Sequence, residues 1–229
     1  MKSHTWSIAV SQTGMKVASQ PMQNLLIGIV DTGINPWHSH VRGDVRGCRI
    51  FVNSDGKICE DSDYHDPVGH GTAVAGVLRK ALPEAAFFAI RVFEQGQTTY
   101  PSLVARGILR AAAAGCDVIN LSLALPSSSG AELVADACVS AQEAGAVLVA
   151  AGHPECPDLL PASLPGVYGV ISDDELEDDD IEMQGGGPYP CRARGIPRNL
   201  EDLPPQANLS GHSLACARVT AYVALARKA

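Results

Sequence analysis

The segment that most constrains this chain is Leu25-Leu26-Ile27-Gly28-Ile29-Val30, an apolar run that stops at Asp31-Thr32-Gly33. An apolar run this short, bounded by turn residues, suits a strand buried on both faces. The rest of the chain supplies partners in alternation. Gly71 to Leu82 has helical spacing at Val74, Val77 and Leu78 and is stopped by Pro83. Ala85 to Val92 then reads as a strand, and Tyr100 to Gly115 as a helix ending on glycine, as helices often do. Val118 to Leu123, Ala146 to Ala151 and Gly166 to Ile171 are further strands, with a helix over Ala131 to Gly145 between the first two. A last helix starts near Ser213 and carries Val219, Val223 and Leu225 to a basic end at Arg227 and Lys228, where cations suit its dipole. Repeated strand–helix alternation implies parallel strands joined by right-handed crossovers. The expected fold is α/β, three layers with a mainly parallel central sheet.

At about 150 residues per domain, 229 residues suit one large domain over 1–229. Residues 1–22 have no clear period and read as an N-terminal arm. The net charge of −8 and an aromatic share of 5% argue against a nucleic-acid binder. No apolar stretch approaches the ~20 residues needed to cross a bilayer, and the N-terminus lacks the apolar core of a signal peptide. Cysteines at 48, 59, 116, 138, 156, 191 and 216 form no C-x-x-C pair and are odd in number, which suits a reducing, cytoplasmic setting. A Cys48–Cys59 bridge is left open.

Residues 173–206 break the rhythm. Asp173 to Asp180 is acidic at every position but Leu176, and Gln184 to Gln206 is rich in glycine and proline. Like charges repel, so a solvated loop is the first reading of the acidic run. A calcium site is the second, although the glycine of an EF-hand loop is missing, and a face for a basic peptide is the third. The histidines at 4, 38, 40 and 65 lack metal-ligand spacing, and neither a metal nor a cofactor is expected. Asp66 reads as a turn former beside the substrate cleft.

Open α/β sheets place ligands beyond the carboxyl ends of their strands, and Asp31 sits at such an end. His70 opens a helix between Gly69 and Gly71, and Ser213 opens the last helix in Gly211-His212-Ser213-Leu214-Ala215. A serine hydroxyl needs a base within hydrogen-bond reach, and the base needs a carboxylate to hold its tautomer. Neighbouring glycines would let a substrate backbone come close. Val30-Asp31-Thr32-Gly33-Ile34, then His70-Gly71-Thr72-Ala73-Val74-Ala75-Gly76, then Gly211-His212-Ser213-Leu214-Ala215, in that order, resemble the subtilisin-like serine proteases. Asp117 to Leu123 is similar to that family's substrate-pairing strand, Val149-Ala150-Ala151-Gly152 to the strand before its oxyanion residue, and Pro161-Ala162-Ser163 to the loop that follows. The resemblance covers about residues 24–226. It implies Ser213 as nucleophile, His70 as general base and acid, and Asp31 as its orienter. It also implies a peptide substrate paired by Ser122, Leu123, Ala124 and Gly152 through backbone hydrogen bonds.

Five positions depart from the family pattern. His153 stands where the family has an asparagine whose amide donates to the oxyanion beside the Ser213 N–H. A neutral imidazole keeps one N–H donor and could serve, or its longer side chain could miss. Were it the donor and required charged, activity would fall as pH rises past its pKa. His212 replaces a threonine and reads as a packing side chain. Ala217 replaces a proline, which should relax the first turn of the Ser213 helix, with Arg218 after it in place of a histidine. Ala124 replaces a glycine and adds a methyl beside the specificity pocket, which predicts a preference for a small or medium residue before the scissile bond. Cys216 reads as a small buried hydrophobe and Cys156 as a loop thiol.

Three functions follow. A serine endopeptidase of narrow specificity, processing a precursor peptide, leads. A transamidase or macrocyclase, in which an amine intercepts the acyl-enzyme, is the second. A peptide-binding pseudoprotease, with or without a partner subunit, is the third.

Overall fold

A computed structural model describes residues 25–94, 98–127, 129–183, 189–200 and 209–228. The expected arm over 1–22 lies outside the described residues. Strands β1 (Leu26–Asp31), β2 (Val45–Val52), β3 (Ile58–Asp61), β4 (Ala86–Arg91), β5 (Val118–Leu121), β6 (Val147–Ala151), β7 (Val167–Ser172), β8 (Ile181–Met183) and β9 (Cys191–Ala193) form one sheet. Its order is β3-β2-β4-β1-β5-β6-β7-β9-β8. Strands β2 to β9 of that order run parallel, and β3 and β8 close the two edges as antiparallel partners.

Alternation along the strands sorts side chains between two helical layers. Ile27 and Ile29 of β1 with Val118 of β5 and Val149 of β6 pack on helices α1 (His70–Ala81) and α4 (His212–Ala226). Val30, Ile119, Leu121 and Leu148 face the other way, onto α2 (Pro101–Ala113) and α3 (Ala131–Glu143). The three-layer α/β architecture expected from the sequence is the one observed. Parity also has a consequence for chemistry. Asp31, next but one after Ile29, falls on the face covered by α1 and α4, the two helices that begin at His70 and His212.

Strands β2, β3, β8 and β9 were not expected. The first is amphipathic and charged (Val-Arg-Gly-Cys-Arg-Ile-Phe-Val), with Cys48 and Ile50 buried, Arg49 between them and Arg46 before them. The last two lie inside 173–206, so that segment is not irregular throughout. Most side chains of the acidic run between β7 and β8 are exposed, as in a solvated loop, but its two half-buried acids are paired. Asp173 pairs with Arg192, and Asp178 receives Lys80, Arg194 and Arg218. The Arg218 guanidinium further donates to the carbonyls of Arg194 and Ile196, which ties the run to α4. The Cys48–Cys59 bridge does not form: in the β2–β3 register Cys59 faces Phe51, and both thiols are free.

Candidate active site

Asp31 ends β1 with its side chain fully buried. Its Oδ1 accepts the Thr32 backbone N–H at 2.6 Å and lies 2.7 Å from His70 Nδ1. A carboxylate only accepts, so the shared proton sits on Nδ1 and leaves Nε2 of a neutral ring as an acceptor. The Asp31 charge raises the His70 pKa above its ordinary 6.5; burial opposes this, while the Asp31 hydrogen bond and the Asp66 charge add to it. Gly71 is required by close approach. A Cβ there would stand 2.2 Å from the Gly33 carbonyl oxygen, so this glycine lets α1 rest on the β1 turn. That is a different role from the expected one of admitting substrate.

Asp66 was read as a turn former, and its reach is greater. Its Oδ1 accepts from the Thr32 hydroxyl at 2.9 Å and from the N–H groups of Val68 and Gly69. Its Oδ2 accepts the N–H of Thr72 at 2.9 Å and the Thr72 hydroxyl at 2.6 Å. The Thr32 hydroxyl in turn accepts the Gly71 N–H. Helix α1 starts at a left-handed Gly69 with no side-chain cap of its own, and Asp66 satisfies one of its orphan N–H groups from upstream. Burial works to raise the Asp66 pKa, but hydrogen bonds from Thr72, Gly69 and Val68 outweigh it and hold the group below the usual carboxylate range.

Ser213 lies at the second residue of α4, where backbone N–H groups and the helix dipole favour negative charge. Its hydroxyl donates to the Ser122 carbonyl at 3.2 Å, and its own carbonyl accepts the Ser122 hydroxyl at 2.9 Å. Among the described residues no hydrogen bond joins Ser213 to His70. Behind Ser122 a buried polar chain runs back through the sheet: Asn120 Nδ2 donates to Ser122 Oγ, and the Thr220 hydroxyl donates to Asn120 Oδ1. Asn120 and Thr220 escaped sequence reasoning. The signal was an asparagine inside the apolar run Val118-Ile119-Asn120-Leu121, because a buried amide needs partners. Cys216, fully buried beside Asn120, has its thiol pushed up to about 12 by burial, as expected of a small buried hydrophobe. The exposed Cys156 lies in the 152–159 turn.

His153 and His212 meet. Their rings are edge to face with centroids 5.1 Å apart. His153 Nδ1 accepts the Glu155 N–H at 3.3 Å, and His212 Nδ1 accepts the Ser172 N–H at 2.9 Å with the Ser172 hydroxyl also at 2.9 Å. In each neutral ring the proton therefore sits on Nε2. Burial, followed by the neighbouring His153, holds the His212 pKa below 6.5, with Asp174 pulling the other way. Helix α4 runs unbroken through a buried Ala217.

Strand β5 ends at Leu121, one register step before Ser122. Ser122 and Leu123 are buried and Ala124 is exposed, and among the described residues Leu123 and Ala124 make no backbone hydrogen bond. The strand expected to reach Leu123 is thus shorter, and its continuation offers unpaired backbone at the rim of the site. Gly152 follows β6 alongside it. No helix among the described residues is long and apolar enough to cross a membrane.

The Subtilase family profile matches residues 22–171. Subtilisin DY of Bacillus licheniformis is 36% identical over 138 residues, covering 56% of this chain and 46% of that protein. Two solved structures share the fold. An epidermin leader peptide processing serine protease from Staphylococcus aureus aligns with a TM-score of 0.68 at 20% identity over 89% of this chain and 65% of that one. A lanthipeptide protease aligns at 0.62 and 19% identity over 88% and 72%. The chain spans from about a third to about a half of the length of the first curated subtilisins it matches, 35% to 48%.

Proposed function

The chain belongs to the subtilase family of serine proteases, and from that premise we propose that it is a serine endopeptidase acting through an acyl-enzyme on Ser213. The observation that carries the reading is the buried Asp31–His70 pair at 2.7 Å, on the sheet face where α4 presents Ser213. Asp31 holds the imidazole with Nε2 free to accept, and stabilises the imidazolium that forms. In the reacting complex the Ser213 hydroxyl exchanges the Ser122 carbonyl for Nε2; such bonds often tighten only around substrate. Its proton passes to His70 as Oγ bonds to the scissile carbonyl carbon. The developing oxyanion receives the Ser213 N–H and the Nε2–H of a neutral His153. His70 then returns the proton to the departing amine, and water repeats the cycle to release the acid.

The donor from His153 is its neutral form. Charging the ring would protonate Nδ1 and break the bond from the Glu155 N–H. An extended peptide pairs with the free backbone of Leu123 and Ala124 on one side and Gly152 on the other.

The substrate class we propose is a precursor peptide cut at few positions, a reading supported by the fold shared with two peptide-processing proteases. The test is incubation with a defined peptide library, followed by mass spectrometry, with the Ser213→Ala variant in parallel. Shortened peptides from the wild type alone are the expected result. Ligated or cyclic products would move the assignment to transamidation. Unchanged input from a folded protein would leave a peptide-binding role and overturn the reading.

A further inference from the structure

We propose that Tyr189 sets the size of the residue accepted before the scissile bond, by occupying the space that its side chain would enter; the inference rests on the proteolytic reading above. The location of that space follows from the strands. Leu121 of β5 pairs with Ala150 of β6, so Leu123 and Gly152 are level with each other just beyond the strand ends. They share the face turned toward α2 and α3, because Leu121, Leu123, Leu148 and Ala150 belong to one apolar cluster on that side. A scissile carbonyl set between Ser213 and His153 puts the preceding residue between the 122–124 segment and the 152–153 turn. Its side chain would point down between Leu123 and Gly152.

The Tyr189 ring is already there. A Cβ built on Gly152 would stand 2.4 Å from Cε1, 2.5 Å from Cδ1 and 2.7 Å from Cζ of Tyr189, so the ring lies flat against the glycine and only glycine fits beneath it. The ring packs on the same cluster as Leu123, Leu125 and Leu160. Two segments close the floor on the far side, where Leu125 and Leu160 exchange backbone hydrogen bonds at 2.8 Å in both directions. The hydroxyl is fixed as well. It donates to the Cys156 carbonyl and accepts the Leu159 N–H at 3.3 Å, which pins the ring inside the turn that carries His153. A ring held by two hydrogen bonds at its hydroxyl and packed against Gly152 does not swing aside at little cost. Small side chains fit above it, and aromatic ones meet it.

The test uses α-aminoalkyl diphenyl phosphonates with the side chain of Ala, Val, Leu or Phe. Ser213 Oγ attacks phosphorus, its proton passes to His70, phenoxide leaves, and the adduct is read by intact mass. A fluorophosphonate, which has no such side chain, labels the same hydroxyl with loss of fluoride and reports on the nucleophile alone. Wild type should react with the Ala or Val reagent at least about tenfold faster than with the Phe reagent. Tyr189→Ala should reverse that order, and Tyr189→Leu, which keeps apolar packing, should move it the same way by less. Fastest wild-type reaction with the Phe reagent would overturn the inference whatever the variants do. So would an unchanged order in a variant that the fluorophosphonate still labels, with the proteolytic reading left standing. No fluorophosphonate adduct on wild type would overturn both.

Discussion

The two sides of the cleft are built differently. On the His70 side, Asp31 Oδ1, Thr32, Asp66, Gly71 and Thr72 form a net of hydrogen bonds around two strand and helix ends, while Asp31 Oδ2 is buried without a hydrogen-bond partner among the described residues. On the His153 side, a short turn is held by a ring contact, two imidazole nitrogens that accept backbone N–H groups, and one tyrosine hydroxyl. The first side fixes an ionisable base and tolerates little change. The second fixes where the substrate's oxygen and side chain go. The contrast suggests that the means of making a nucleophile and the choice of substrate are separately adjustable in this fold.

Substitutions can break or sharpen that contrast. The largest effect is expected from His70→Ala, which should lower the rate of peptide cleavage by about 10⁶-fold, because the triad acts as a unit. His153→Ala removes one oxyanion donor and should lower kcat by about 10²–10³-fold with KM little changed. A loss below about threefold would mean that the imidazole does not reach the oxyanion. His153→Asn should retain more activity than His153→Ala.

Asp66→Asn tests that net directly. An amide turns N–H groups toward the N–H and O–H donors now facing a carboxylate, so buried donors lose their partners. A loss of about 2 kcal/mol or more, roughly 4–8 °C in Tm by scanning calorimetry, is expected. An unchanged Tm would show the net to be dispensable.

The smallest effect concerns pH. His70 must be neutral to act as base, and its pKa is raised, so activity should climb with pH through a midpoint above 6.5. His212 has a lowered pKa, so its neutral form is the one the fold prefers. Its contribution to stability is present above 6.5 and lost as pH falls through its folded value. His212→Ala should leave the His70 midpoint in place and change the rate within about fivefold. A midpoint moved below 6.5 would show the two sides to be coupled.

Much of this molecule was legible in its sequence. The buried strands announced themselves as continuous apolar runs, and Asp31, His70 and Ser213 each sit where such a run ends or a helix begins. What stayed hidden did so for physical reasons. Strand β2 alternates buried Cys48 and Ile50 with arginines, which reads as polar chain, and β8 and β9 are each three residues long, too short for any period. Asp66 sits in a turn-forming context that gives no hint of its reach to Thr32 and Thr72. Tyr189 follows a glycine-rich stretch, and only the folded chain brings it to Gly152. Local pattern reveals what a segment is; it does not reveal which distant segment will lean on it.

The account stands on Ser213 being a hydroxyl activated by His70. Intact-mass analysis after treatment with a fluorophosphonate measures this without any knowledge of the substrate. One adduct on the wild type and none on Ser213→Ala is the expected result. A folded wild-type protein that takes up no adduct, or a Ser213→Ala variant labelled as readily as the wild type, would contradict it.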